Sequence, residues 1–591
     1  MFRGFRWQVL ALLFALALFA MSIVTRIQSL PQVTPTPTQS ATATPTPIAI
    51  LATETPAGPS PTPLPAGTGT LREGLVGDIA RLNPVFADLN PVDRDITSLI
   101  YEGLMRTNDY GEPIFALANS LVISSDGLEY VFTLRNDVLW QDGTPFTARD
   151  VGYTMEILRS PDFPGSDGRT RFWRTVETEI LGDYLVRFRL TQPLATFLDE
   201  LQIGILPEHA LRGTNAAQLA SHPFNLTPIG TGPYQLERII MGSDGRATQV
   251  RLRAAPVYRQ RLQTGGGYSI ERIQFDLFPT FDAAAQALNR GDIDALAAGS
   301  RAERQRLFDV TNASTTLNLY TQIEPTLGVL IFNWERESTR FFREQRVRVA
   351  LQTGLDRASV IERNLSNIAV EADSPLMPGS WAYLPDLPWA AYDPASARAQ
   401  LDVANQRAAT ATPVPEGEPT LPPSSGSYNF SILVANDPAL VAVAQEIATQ
   451  WAQLNVNVTV DAVTTDTYRQ RLTNGEFDSA LVELSLGTSA DPDIYAFWHQ
   501  GQTAPNGLNY GAADDGRISE LLERARRDAS GINRIELYRR FQQQFVERAI
   551  AIPLYYPLFT YVVSRTVNGV QLGFMGAPDD RFRTLSDWQI N

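Results

Sequence analysis

No cysteine occurs among the 591 residues, and histidine appears only at His209, His222 and His499. Without thiols there is no disulfide, zinc-thiolate site, cysteine nucleophile or lipid-modified N-terminal cysteine. Lysine is missing too, since all 49 basic residues are arginine. That excludes a Walker A lysine, a Schiff base and the strand lysine of a protein kinase. Any ATP hydrolysis the protein's work requires must come from a partner. Three scattered histidines give little for a metal site or a Ser-His triad, and no GxSxG, HExxH or P-loop pattern occurs. A net charge of -15 without a run of basic residues argues against a nucleic-acid partner. No catalytic residue, cofactor or metal is assigned, and an extracytoplasmic hydrolase is the least favoured class.

The two ends of the chain differ in kind. Arg3 and Arg6 precede an apolar run from Trp7 to Val24. At 1.5 Å per residue such a run spans about 27 Å, close to a bilayer core of about 30 Å. It predicts a membrane anchor over 7–25, with 1–6 cytoplasmic and the body on the extracytoplasmic face. Small residues such as Ala17 and Ala20 leave a cleaved signal peptide, hence a secreted or periplasmic protein, as the alternative. From Pro31 to Gly69 there are ten prolines, ten threonines and one charge, Glu54. With nothing to bury, residues 26–70 read as a disordered, extended linker. A second low-complexity stretch, about 407–427, reads as a disordered surface insertion.

From Leu71 onward helical and strand signals alternate, the pattern of α/β domains. Glu129 to Arg135 alternates with period two, and Thr147 with Asp150 forms an acidic capping box for a helix to about Leu158. Asp393-Pro394 opens another helix, Leu440 to Leu454 is helical, and Val456 to Val463 is a β-branched strand. Phe477 to Leu484 and Ala549 to Tyr556 read as buried strands, with helices near Arg517–Arg527 and Arg534–Arg548 between them. Gly230 to Tyr234 reads as a tight backbone turn, where glycine permits positive φ. Arg346 and Arg348 are expected in ion pairs, solvated or between parts of the fold, and Arg301 to Arg306 on a solvated helical face.

Several of these segments carry a resemblance. Leu82-Asn83-Pro84, Ile100 to Leu104, the long block Leu117 to Val151, Gly230 to Tyr234 and Phe332-Asn333 stand in order. Arg346 to Leu351, Leu355-Asp356-Arg357, Tyr392-Asp393-Pro394 and Ala551 to Tyr555 follow. Over about 71–591 the chain resembles the family 5 extracytoplasmic solute-binding proteins of ABC importers, which include dipeptide- and oligopeptide-binding proteins. The resemblance implies a two-lobed, periplasmic-binding-protein-like α/β fold of type II, of the large cluster with an extra subdomain in lobe one. Lobe one then covers 71–320 with the insertion near 105–225, lobe two 321–555, and 556–591 returns to lobe one. Crossovers near 320 and 556 are the expected hinges. The implied function is capture of peptides or peptide-like solutes and delivery to permease subunits with a separate ATPase, by a monomer tethered to the membrane.

The resemblance also points to contacts. A carboxylate in a second-lobe loop commonly pairs with the α-amino group of a bound peptide. Counting back from Ala490-Asp491-Pro492-Asp493, its counterpart is Thr488, and the tryptophan that precedes it in some members corresponds to about Ser485. Leu486 and Gly487 lie between. A hydroxyl accepts a neutral hydrogen bond of roughly half the strength of a charge-assisted one, so the usual register lacks its acid. Nickel, haem, opines and oligosaccharides, which other members bind, stay open, as does a tethered sensor. Asp491 can supply acceptors to solute or cap a helix. Asp78 matches a lobe-one position that offers backbone contacts and sometimes an acid, or is a surface turn. Asn509, Tyr510 and Trp381 complete the set, the aromatics as pocket walls or as core.

Overall fold

A computed structural model describes residues 48–50, 69–261, 268–410, 428–486, 491–528 and 531–591. Nine strands position the site. β1 (Thr70–Val76), β2 (Arg272–Phe278) and β3 (Ala295–Ala297) come first, β1 lying between the other two and parallel to both. β4 (Leu317–Ile323) and β5 (Thr326–Phe332) follow, joined through Glu324-Pro325. β6 (Tyr428–Ala435), β7 (Val456–Val463) and β8 (Ser479–Ser485) form a second parallel set with β6 in the middle. Last is β9 (Ile552–Ser564), thirteen residues long and almost wholly buried. Such a near-continuous apolar strand is what a sheet covered on both faces demands.

β9 explains how the parts are joined. Its later half runs antiparallel to β3 and β4, and its earlier half to β5. One twelve-stranded sheet therefore passes through both lobes with β9 at its middle. Two large apolar cores lie along it. One draws on Leu71 to Ala295 and again on Phe559 to Trp588, and the other on Leu327 to Tyr556 with Phe574. A small third core packs helix residues Ala284 to Leu288 against Leu296 and Val562. The result is a two-lobed α/β fold of the periplasmic-binding-protein kind.

A separate five-stranded antiparallel sheet within the first lobe has the order Ile48–Ile50, Ala118–Ile123, Glu129–Leu134, Leu185–Arg189, Glu177–Gly182. Tyr130, Phe188, Phe197 and Trp173 meet on it in tilted and edge-to-face pairs. Helix Ala148–Arg159 starts on the expected box: Thr147 Oγ1 accepts from Arg149 N at 3.3 Å, and Asp150 accepts from Thr147 N at 2.9 Å.

Other expectations change. The membrane-spanning helix is not supported, and with it go the anchored localisation and the membrane as a partner. Among the described residues no helix is long and apolar enough to cross a membrane. Residues 7–25 lie outside them, as does most of the linker over 26–70. The helix begun at Pro394 runs on to Thr410, into the stretch read as an insertion, and 411–427 lie outside the described residues. Gly230 and Gly232 are not in the left-handed region. Glycine is needed there because a Cβ at either position would overlap the backbone of Ile100. Gln141 straps the turn, accepting from Gly230 N at 2.9 Å and donating to Tyr234 O at 2.7 Å. Arg348 meets no carboxylate among its hydrogen bonds. It is fully buried, donates to the carbonyls of Phe342, Arg343, Arg548 and Ala549, and stacks 3.9 Å from the Trp334 ring. Burial pushes its pKa down to about 10.

Candidate functional site

In open α/β sheets, ligands collect outside the carboxyl ends of the parallel strands. On the first lobe these ends are Gly77-Asp78 after β1, Pro279-Thr280 after β2, and Ala298 to Arg301 after β3. On the second they are Asn436-Asp437 after β6, Thr464 after β7, and Leu486 after β8. The two edges meet through side chains. Arg301 opens helix α1 (Arg301–Asn312) in the first lobe. Its guanidinium lies 2.6 Å from Glu483 Oε1 on β8 and 3.3 Å from Asp437 Oδ2. Asp437 caps helix α2 (Pro438–Ala452), accepting from the backbone N–H groups of Ala439 and Leu440. Arg304, one turn along α1, lies 2.6 Å from Glu324 in the β4–β5 connection. Burial raises the Glu324 carboxyl above its usual range, with Arg304 pulling it back. The face expected to be solvated is thus an interlobe charge cluster at Arg301 and Arg304.

The sequence-derived residues divide between edge and interior. Asp78 is exposed at the β1 edge, 3.7 Å from Arg246, and its carbonyl accepts from Asn90. Ser485 ends β8 opposite Thr326, and Leu486 donates its N–H to Pro325 O at 2.7 Å, tying the β8 edge to the β4–β5 connection. Gly487 and Thr488 lie outside the described residues. Tyr510 is half-buried against the second core, and burial raises its hydroxyl pKa. Asn509 is interior: only 2% exposed, it donates to His499 O and Ala513 O and accepts from Ala513 N.

Asp491 is committed to a buried cation. It grips Arg534 with both oxygens, at 2.7 and 2.8 Å. The Arg534 guanidinium sits 5.1 Å from the Trp381 ring centroid, and Trp381 meets Tyr538 edge-on. Trp381 therefore walls in an ion pair. Asp493 makes the turn instead, accepting from Tyr495 N at 3.2 Å. Asp491, Leu486, Leu376, Met377 and Ile494 line a cavity of about 10 Å³, the size of one water. Arg534 gave a readable signal: with Tyr538, Phe541 and Phe545 it lies on the apolar stripe of its helix, where a cation requires a buried acid. Replacing Asp491 with Asn keeps the shape and removes the charge. We expect a stability loss of about 2 kcal/mol, seen as a lower urea midpoint, with solute binding retained.

Two parallel edges that face each other across a shared strand define a binding protein with its solute site between lobes. The chain belongs to the bacterial extracellular solute-binding proteins, family 5, whose middle-region model matches residues 112–506. The oligopeptide-binding protein AppA of Bacillus subtilis is 25% identical over 498 residues, 83% of this chain and 86% of its own. The AppA structure, in complex with a nonapeptide, aligns with a TM-score of 0.61 at 23% identity over 89% of this chain and all of that one. NikZ of Campylobacter jejuni, in complex with Ni(L-His), aligns at 0.62 and 25% over 88% and 99% of the two chains. CtaP of Listeria monocytogenes aligns at 0.70 and 23% over 89% and 99%. Among the described residues no group of three His, Asp or Glu side chains could hold a metal ion.

Proposed function

We propose that this solute-binding protein is the peptide receptor of an ABC importer. It takes peptides between the β1–β3 and β6–β8 edges and presents the closed form to a permease whose ATPase is a separate chain. The observation that carries the reading is the pair of facing carboxyl edges, in a family whose relative AppA is an oligopeptide-binding protein. Asp78, Ser485 and Leu486, with Gly487 and Thr488 beyond them, are the proposed contacts, and Tyr510 the aromatic behind them. Asp491, Asn509 and Trp381 support this edge without touching solute. The chain bends at Glu324-Pro325 and at β9 near Pro557, where β9 passes between lobes. Solute touching both edges then stabilises the closed form by its differential contacts.

Native mass spectrometry of the purified chain, before and after mild unfolding, tests this. A released ladder of short peptides is expected. Peptides of that composition, returned at about 100 times their Kd, should stabilise the solute-free chain by about 2.7 kcal/mol. A single non-peptide mass, or a panel of peptides that leaves the melting temperature unmoved, overturns the peptide reading.

A further inference from the structure

Arg301 stands where a helix least favours a cation. It is the first residue of α1, at the positive end of the helix dipole, which attracts acids and repels bases. Local structure does not account for it, but the far side of the cleft does. Glu483 and Asp437, 182 and 136 residues away in sequence, are held ready for it. Asp437 is fixed by its two capping hydrogen bonds. Glu483 is fixed by Tyr555, whose hydroxyl donates to the same oxygen at 3.1 Å. Glu483, Gly328 and Tyr555 stand side by side on β8, β5 and β9. The Tyr555 ring reaches Glu483 across the space that the missing Gly328 side chain leaves, and a Cβ there would overlap the ring. Arg304 fastens the same helix to Glu324 at the bend. The cluster already holds one more acid than base, so loss of either base doubles the acid excess.

We propose that Arg301, Glu483 and Asp437 form an interlobe latch that closes the cleft in the absence of solute. Arg301 is then a positioning residue for capture, acting through the closed population and not through contact with a particular solute. The apparent affinity of a receptor is its intrinsic affinity scaled by the fraction of closed form. Breaking the latch should weaken all solutes by the same factor, whereas loss of a solute contact weakens only those that use it. The proposal rests on two-lobed closure and not on the peptide reading, so the two fail independently.

The absence of cysteine makes the measurement clean. Dyes on Ser243→Cys in the first lobe and Gln453→Cys in the second report lobe separation in the solute-free full chain. Arg301→Gln should lower the closed-to-open ratio about tenfold and Glu483→Gln somewhat less, since Asp437 still meets Arg301 there; the double variant should go no further than Arg301→Gln, and about 1 M salt should open the parent. Glu483→Gln decides alone if Arg301→Gln does not fold. Unchanged dye separation in the folded variants overturns the latch, as does weakening confined to acidic peptides among the co-purifying ones.

Discussion

Replacing Arg581 with methionine should destabilise the chain by about 3–5 kcal/mol, a large share of the stability of a typical domain. The guanidinium is fully buried, 2.7 Å from Glu73 on β1 and 2.8 Å from Asp95 on the helix Pro91–Ile100. Tyr561 of β9 donates to the other Glu73 oxygen at 2.8 Å. Methionine fills much of the volume but leaves Glu73 without its counter-charge and Asp95 with Arg94 alone, 3.0 Å away. The urea midpoint, read by tryptophan fluorescence, measures the effect. Its pH dependence identifies the cause. Burial already raises the Glu73 carboxyl above its usual 4.5, with Arg581 and Tyr561 holding it down. Without Arg581 it rises further. An acid with a raised folded-state pKa destabilises the fold most where the unfolded chain is ionised, above about 4.5, and least below it. The gap between parent and variant should therefore be widest near neutrality and narrow as the pH falls towards 4.5. A gap that stays constant would show that lost packing, not unpaired charge, is responsible.

Gly230→Ala should cost about 3 kcal/mol, at the upper end for one added methyl group. Its Cβ would overlap the Ile100 carbonyl oxygen, which already accepts from Gly232 N at 2.8 Å. Neither group is a side chain that can rotate away. Both belong to backbones locked together by the Gln141 amide. Gly168 is the control: it is exposed on a helix, with nothing within 4 Å of an added Cβ. Gly168→Ala should leave the midpoint unchanged or raise it slightly. A Gly230→Ala midpoint equal to the parent's would remove the close-approach explanation.

What could be read from the sequence was local. Thr147 and Asp150 announce a helix within four residues, and Val456 to Val463 announces a strand through its own β-branched alternation. The family blocks pointed to a two-lobed α/β fold because they run in order along most of the chain. Arg301 and Arg304, by contrast, look like any charged helical face, because their partners come from the β4–β5 connection and from the other lobe. Arg348 is expected from the sequence in a solvated or interlobe ion pair, yet it is held by backbone carbonyls, Phe342 and Arg343 just before its own helix and Arg548 and Ala549 some 200 residues on. Asp491 before proline has the form of a cap, and although Arg534 on an apolar stripe calls for a buried acid, only the fold shows that Asp491 is the one it meets. Pattern reveals what neighbours in sequence do, while charge pairing across the cleft depends on where the folded chain brings strangers together.

The position of β9 also sets an order of events during synthesis. It is the middle strand of the shared sheet and contributes to both large cores, yet it follows in sequence every other strand of that sheet. Until Ile552 and its successors have left the ribosome, neither lobe can complete its sheet. β5 and β3 then each face an empty place where their common neighbour belongs. A nascent chain of this kind stays short of its native sheet until β9 has emerged. That suits a polypeptide whose family works outside the cell, because a channel that threads extended chain must receive it before the last strand locks it shut.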